Sequence, residues 1–173
     1  YIRKSIHLSK VKSNVNDKQY YVRNLSDKDK AANMLANLGT SLRTLIQSLN
    51  ENDNQKGKGI KKLKKSFNPD HITENIPGSL YVAYSVNKGE ELSICLRDKD
   101  TNKFIDINTI TFVAIHELAH IMSDSTGHTE EFWDNMRFLL EECSKQGIYY
   151  PVDYSHSPIE YCGMKIDSTP LNI

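Results

Sequence analysis

Apolar residues recur every three or four positions over residues 26–49, the longest periodic stretch of the chain. This spacing gathers the apolar side chains on one face of an α-helix. Ser26 can cap the first turn, and Asp27 and Asp29 stand where the helix dipole favours acidic groups. We therefore expect a helix of about 24 residues with a continuous core face. That face consists of Ala31, Ala32, Leu35, Leu38, Leu42, Leu45, Ile46 and Leu49.

Two later segments, residues 80–86 and 92–97, carry the aromatic and branched residues that favour strands. Between them, residues 87–91 have the turn chemistry of a β-hairpin. A turn is expected at residues 76–78, and residues 104–106 are predicted to form a further short strand. This part of the chain therefore predicts a small, mostly antiparallel sheet.

The N-terminal residues 1–24 are polar and mixed, apart from a short extended segment at residues 20–22. The rest of the chain has no internal domain boundary. We therefore predict an N-terminal arm over residues 1–24 and a single domain over residues 25–173.

A second helix is predicted after Asn108 or Thr109, either of which can be its N-cap. Its residues 111–122 are apolar nearly all round, so the helix should be buried. Burying His116, Glu117 and His120 there costs roughly several kcal/mol unless other groups satisfy them. A metal ion with a bound water would do so; the alternative is a pair of hydrogen-bonded core histidines beside a buried ion pair.

The motif HExxH explains these polar residues best. Four residues is slightly more than one helical turn, so the rings of His116 and His120 can converge on one ion. Glu117 lies about 100° around the helix, where it can reach a water on that ion without ligating it. This geometry is typical of zinc sites that activate water for attack on a peptide bond.

A catalytic zinc needs a third protein ligand and one open position. His128 is the preferred third ligand, and Gly127 before it can let the chain reverse after the helix. Glu141, Glu142 and Asp124 are the alternatives.

A third helix is expected to begin after Thr129, with Glu130 and Glu131 in its first turn. The large aromatic residues Phe132 and Trp133 would then brace the third ligand from the core rather than bind substrate.

The 22 basic and 22 acidic residues cancel, which excludes a global attraction to nucleic acid or anionic lipid. Residues 56–65 nevertheless hold a cluster of lysines. One interpretation is a short helix with a solvated basic face, and the other is a contact with DNA or an acidic partner. The lysines are Lys56, Lys58, Lys61, Lys62, Lys64 and Lys65.

The three cysteines, Cys95, Cys143 and Cys162, form no CxxC pair, which excludes a zinc ribbon. Their odd number and wide spacing argue against a disulfide framework and favour a reducing compartment or a virion. A bridge between Cys143 and Cys162 is the one pairing left open. Because the chain begins at Tyr1, we expect any targeting or membrane-anchoring segment upstream of that residue.

Residues 116–133, with the sequence HELAHIMSDSTGHTEEFW, resemble the active-site segment of WLM and SprT-like metallopeptidases. Residues 20–49 resemble the first helix of WLM-like proteins from large DNA viruses and their hosts. Residues 85–97 and 151–166 resemble the central hairpin and the C-terminal segment of that virus-type subgroup. Together these matches cover most of the chain.

The resemblance implies an α+β, zincin-like fold, in which a small sheet packs against the long N-terminal helix and the HExxH helix. It also implies Zn²⁺ at His116, His120 and His128, with Glu117 as the general base. One departure is the loop between the second and third histidines, which is longer here than in the best-known WLM proteases.

The function expected from these features is zinc-dependent hydrolysis of peptide bonds in protein substrates by a monomeric enzyme. Substrate would pair with an edge strand of the 80–97 hairpin. Tyr154 and His156 are candidates for oxyanion stabilisation or substrate contact, and Met164 is a candidate floor of the site or an ordinary core residue.

Two other functions stay open. A zinc endoribonuclease with three histidines would have no use for Glu117. A non-catalytic, zinc-stabilised domain that binds protein or nucleic acid would need a fourth ligand, from Cys143, Cys162 or His156.

Overall fold

Four helices are present in the computed structural model, which describes residues 8–76, 79 and 81–173. The predicted turn at residues 76–78 falls mostly outside the described residues, as does Leu80. No helix in the described part is long and apolar enough to cross a membrane. The helices are α1 (Lys28–Ser48), α2 (Gly57–Ser66), α3 (Ile107–Met122) and α4 (Glu130–Lys145).

Seven short strands form three small sheets within the described residues. The central sheet has the order β3-β5-β4, in which β4 and β5 are the predicted antiparallel hairpin and β3 joins β5 in parallel. Two antiparallel hairpins, β1–β2 and β6–β7, flank it in the chain. The strands are β1 (Leu8–Lys12), β2 (Gln19–Arg23), β3 (Ile72–Glu74), β4 (Ala83–Val86), β5 (Glu91–Ile94), β6 (Ile159–Tyr161) and β7 (Met164–Ile166).

Helix α1 confirms the predicted amphipathic helix and contributes much of the core. Asp27, not Ser26, is its N-cap residue, and no side-chain hydrogen bond is made there. At Gly39 an added Cβ would lie 2.6 Å from the carbonyl oxygen of Pro69, so this position has to be small. The close approach brings α1 against the segment that leads into β3.

The β1–β2 hairpin is packed onto the domain. Tyr20 and Val22 are buried in the core, and the backbone nitrogen of Arg23 donates to the Glu74 carboxylate at 2.7 Å. The extended segment at residues 20–22 is thus confirmed, whereas the division into an arm and a domain stays a prediction.

The start of α3 corrects the predicted caps. Asp106 is the N-cap, in place of Asn108 or Thr109, and its carboxylate accepts a hydrogen bond from the backbone nitrogen of Thr109 at 2.9 Å. Residues 104–106 form no strand, only an isolated bridge. Asp106 caps the helix because its short carboxylate satisfies a first-turn N–H group that has no helical partner.

The cysteine pairing also differs from the prediction. Cys95 and Cys162 form a disulfide with their Cα atoms 6.5 Å apart, while Cys143 is a free, buried thiol in α4. The pairing that the sequence left open, between Cys143 and Cys162, is therefore wrong. Cys162 and Gly163 form the two-residue turn between β6 and β7, both with positive φ, and the bridge fastens this turn to the end of β5.

Candidate metal centre

His116, His120 and His128 come together in the structure. One ring nitrogen from each lies within 4.8 Å of the others. The Nε2 atoms of His116 and His128 are 3.1 Å apart, although the two residues are 12 positions apart in the sequence. The three histidines therefore converge as predicted, two from one helical turn of α3 and the third after the chain reversal.

The chain reversal after α3 depends on Gly127 and on the first turn of α4. Gly127 has φ +81°, a conformation that residues with a Cβ rarely adopt. Thr129 caps α4 as predicted, accepting from the backbone nitrogen of Phe132. The Glu131 carboxylate accepts from the backbone nitrogens of Asp124 and Ser125, so the first turn of α4 holds the loop before it.

Helix α2 supports the same loop with its lysines. Lys62 donates to the carbonyl oxygen of Ser123 at 2.8 Å, and Lys58 and Lys62 both pair with Asp124. Lys56 donates to Asn135, which in turn donates to the Ser123 hydroxyl. Two of the six lysines, Lys58 and Lys62, therefore contact the segment that leads to His128, and Lys56 reaches it through Asn135. The basic face of α2 is thus not entirely solvated.

Phe132 is the aromatic support of the three histidines. Its ring is buried, with its centroid 4.2 Å from that of His120 and about equally close to His116 and His128 at 5.0 and 4.9 Å. Trp133 lies 5.4 Å from His128 and also lines the adjoining cavity. The predicted brace is thus Phe132, while Trp133 reaches the space where a ligand would lie.

Glu117 is buried and lines the same cavity as the histidines. One carboxylate oxygen lies 3.3 Å from Nδ1 of His116, whose Nε2 faces His128. The carboxylate thus sits beside the histidine cluster without joining it, as the general base of an HExxH site should.

Burial lowers the pKa of His120 and of His128, and electrostatic repulsion from the neighbouring His116 ring lowers both further. A lower pKa keeps the rings neutral, which is the form that binds a metal. Three imidazoles within reach of one point, open on one side to a cavity, fit the donor set of a catalytic zinc site.

The alternative third ligands lie elsewhere. Asp124 is paired with lysines and Glu142 with Lys145, and neither they nor Glu141 join the cluster among the described residues. The two cysteines predicted as possible fourth ligands do not join the cluster either. Cys143 is a buried thiol in the core, and Cys162 is part of the disulfide.

Tyr154 and His156 are not at the cavity. Tyr154 is buried behind it, with its ring 4.7 Å from that of Phe112, and burial raises the pKa of its phenol. His156 is exposed in a turn, where its backbone nitrogen donates to Asp153. Their predicted contact with the oxyanion or the substrate does not fit these positions, because an aromatic core contact and a surface turn take them away from the histidines.

The cavity beside the histidines measures about 790 Å³. Besides helices α3 and α4, the cavity is lined by the segment that leads into β4, and by β7 and the residues after it. The first of these wall segments belongs to the hairpin predicted from the sequence. The second contains Met164, the candidate floor of the site, which lines the cavity and is 47% exposed, so it is not a core residue. The strand that carries it is not recognisable from the sequence, because strands of three residues carry too little periodicity. The two wall segments are residues 81–84 and 164–168.

Known proteins are similar to this chain in sequence and in fold. The WLM domain matches residues 14–156. The chain is 37% identical to the uncharacterized protein R325 of Acanthamoeba polyphaga mimivirus, over 94% of this chain and 84% of that protein.

Two crystal structures of Wss1 from Saccharomyces cerevisiae, one of them a mutant, have similar folds. Their TM-scores are 0.54 and 0.55 at 19% and 17% identity, over 73% and 74% of this chain and 89% and 92% of those chains. These likenesses confirm the predicted α+β architecture. The match over residues 14–156 shows that the chain belongs to the WLM domain family.

Proposed function

We propose that the protein is a zinc-dependent endopeptidase that cleaves protein substrates. The observation that carries this proposal is the convergence of His116, His120 and His128 beside the buried carboxylate of Glu117, at the wall of an open cavity. A site of this kind has donors for a metal, a base for a water and space for a substrate.

When bound by the three histidines, zinc would supply a Lewis acid that polarises a carbonyl group and lowers the pKa of water. Glu117 would take the proton of the attacking water and transfer it to the leaving amine. Burial of Glu117 limits competition from bulk water for that proton.

Strand β4 offers the substrate a place to bind. It is an edge strand that pairs with β5 on one side, and the residues at its start line the cavity. An extended peptide could add a strand there through backbone hydrogen bonds, with its scissile bond near the histidines.

A purely structural zinc site is the competing function, and the geometry disfavours it. A structural site normally closes with a fourth protein ligand. Among the described residues the cluster holds three histidines and no further cysteine or carboxylate ligand. A buried base such as Glu117 also has no role in a closed site.

The test compares wild type with Glu117→Gln, measuring zinc content and cleavage of unfolded protein substrates. Both proteins should bind about one zinc per chain, because Glu117 is not a ligand. Cleavage by Glu117→Gln should fall by about 100-fold or more, the usual contribution of a general base.

Glu141→Gln is the matched control, since Glu141 is exposed on α4 and lies away from the cavity. It should cleave at the wild-type rate. If Glu117→Gln binds zinc and cleaves as fast as wild type, Glu117 is not the base. If wild type binds no zinc, the whole proposal is wrong.

A further inference from the structure

The cavity at the metal centre is bounded largely by apolar side chains. They come from the β4 entry, from α3, from α4 and from β7, so four separate parts of the fold present apolar surface to one space. The largest of these side chains belong to Tyr81, Tyr84, Phe112, Trp133, Met136 and Met164.

The apolar surface begins next to the histidines. Phe112 is four residues before His116 on α3, which places it on the same helix face about 6 Å further along the axis. Its ring is fixed by Tyr149 and Tyr154, at centroid distances of 6.0 and 4.7 Å. A substrate side chain beside the scissile bond would therefore meet a preformed aromatic surface.

Two large apolar side chains of this cavity are exposed to solvent. Tyr81 is 62% exposed and Met164 is 47% exposed. A single exposed apolar residue is ordinary, but two in one cavity beside a buried carboxylate form a surface that gains free energy when a ligand covers it.

The charged groups of the wall do not favour a charged substrate side chain. Lys165 and Asp167 both line the cavity and carry opposite charges. Apart from Glu117, the charges of the lining side chains therefore sum to zero, so no net charge favours an acidic or a basic substrate side chain.

Building on the proposed peptidase function, we propose that this cavity selects extended peptides with a large apolar or aromatic side chain next to the scissile bond. Phe112, Tyr81 and Met164 are the residues that contact that side chain. Pairing with β4 would direct alternate side chains of the peptide to one face, so one of them can enter the cavity.

The first experiment measures kcat/KM of the zinc-loaded protein on peptides that differ only in one residue beside the cleaved bond. Leucine or phenylalanine should be preferred over aspartate or serine by about ten-fold or more, the usual scale for an apolar pocket. Tyr81→Ala and Met164→Ala should each reduce this preference, because they should lower kcat/KM on the leucine and phenylalanine peptides more than on the serine peptide.

Tyr150→Ala is a closely matched control for Tyr81→Ala. Tyr150 is 71% exposed and does not line the cavity. The backbone of each tyrosine is held by an asparagine side chain, Asn108 for Tyr150 and Asn75 for Tyr81, and substitution by alanine keeps those bonds. Tyr150→Ala should keep the full preference.

A second readout does not depend on catalysis. Trp133 is the single tryptophan of the chain and lines the cavity, so its fluorescence reports occupancy there. In zinc-loaded Glu117→Gln, peptides with leucine or phenylalanine should bind more tightly than those with aspartate or serine, and Tyr81→Ala added to that variant should narrow the difference.

The outcomes separate the two proposals. Cleavage without preference among the peptides, or a preference that survives both Tyr81→Ala and Met164→Ala, would overturn the selection and leave the peptidase function in place. If no peptide is cleaved while Trp133 still reports tighter binding of the apolar peptides, the peptidase function fails and the selection stands as a binding property. Equal binding with no cleavage would overturn both.

Discussion

Two clusters of polar side chains differ in whether they are satisfied within the chain. In the first, the Arg97 and Glu74 side chains are each 1% exposed and meet at 2.7 Å, and Arg97 also contacts Asp27. Glu74 additionally accepts from the backbone nitrogen of Arg23. This cluster joins the sheet to the start of α1. We call it the closed cluster because its charged side chains pair with one another.

The second cluster, around His116, is open. Its ring nitrogens point at one another and its carboxylate, Glu117, contacts one of the rings at 3.3 Å, while the remaining side faces the cavity. Two imidazole nitrogens that face each other can share one proton, so this contact is at most one hydrogen bond. An ion and a water would supply what the neighbouring residues do not.

The comparison gives a physical basis for separating a structural cluster from a functional one. Buried polar groups are normally paired, so an incompletely paired group at a cavity indicates a ligand, whereas a fully paired group indicates a role in stability. The two clusters should therefore respond in opposite ways to mutation and to metal.

Breaking the closed cluster should have the largest effect. Arg97→Met would leave Glu74 buried without its partner, and we expect the free energy of unfolding to fall by about 3–5 kcal/mol. Urea denaturation of the metal-free protein measures this loss. Arg43→Met is the control, because Asp70 keeps its pairing with Lys18 there, and the loss should stay below about 1 kcal/mol. A loss of similar size in both variants would remove the distinction between closed and exposed pairs.

Changing the open cluster should leave the metal-free protein almost unaffected. His128 is exposed, so the free energy of unfolding of metal-free His128→Ala should lie within about 0.5 kcal/mol of wild type. Zinc at a free concentration of about 100 times its Kd should stabilise wild type by about 2.7 kcal/mol, but it should not stabilise the variant at that concentration. Thermal unfolding with and without zinc measures both effects, with the exposed His156→Ala as control. Equal stabilisation of His128→Ala would exclude this residue as a ligand.

The support given by α2 should have a smaller effect, confined to metal affinity. Lys62→Met removes the donor to the Ser123 carbonyl and loosens the loop that ends in His128. We expect the Kd for zinc to rise about ten-fold, as is usual when groups that orient metal ligands are removed. Competition with a zinc chelator measures this change.

The control for Lys62→Met is Lys61→Met, since Lys61 is an exposed neighbour on the same helix. It should bind zinc as wild type does. An equal loss of affinity in the two variants would point to the net charge of α2 rather than to the contact with Ser123.

The difference between the clusters also explains which features are predictable from the sequence. His116, Glu117 and His120 lie within one helical turn, and Gly127 indicates the reversal to His128, so local spacing defines the open cluster. The long helix α1 and the β4–β5 hairpin are recognisable for the same reason.

Features built from distant residues could not be predicted. Arg97 meets Glu74 and Asp27 across 23 and 70 positions. Cys95 and Cys162 are 67 positions apart. No local pattern marks such partners, because the fold alone brings them together, and the same holds for β3, whose three residues join β5 in parallel.

The smallest effect is expected at Cys143, the candidate fourth ligand that would close the open cluster. Burial raises the pKa of its thiol to about 12, so at about pH 8 the thiol stays protonated and unreactive in the folded protein. Mass spectrometry after treatment with iodoacetamide, without reductant, should therefore show no modification of native protein, and zinc removal should not change this. In denaturant, Cys143 should be labelled while Cys95 and Cys162 stay protected by their disulfide. Labelling of native protein that begins when zinc is removed would instead place the thiol at the metal, and labelling of all the cysteines in denaturant would exclude the bridge.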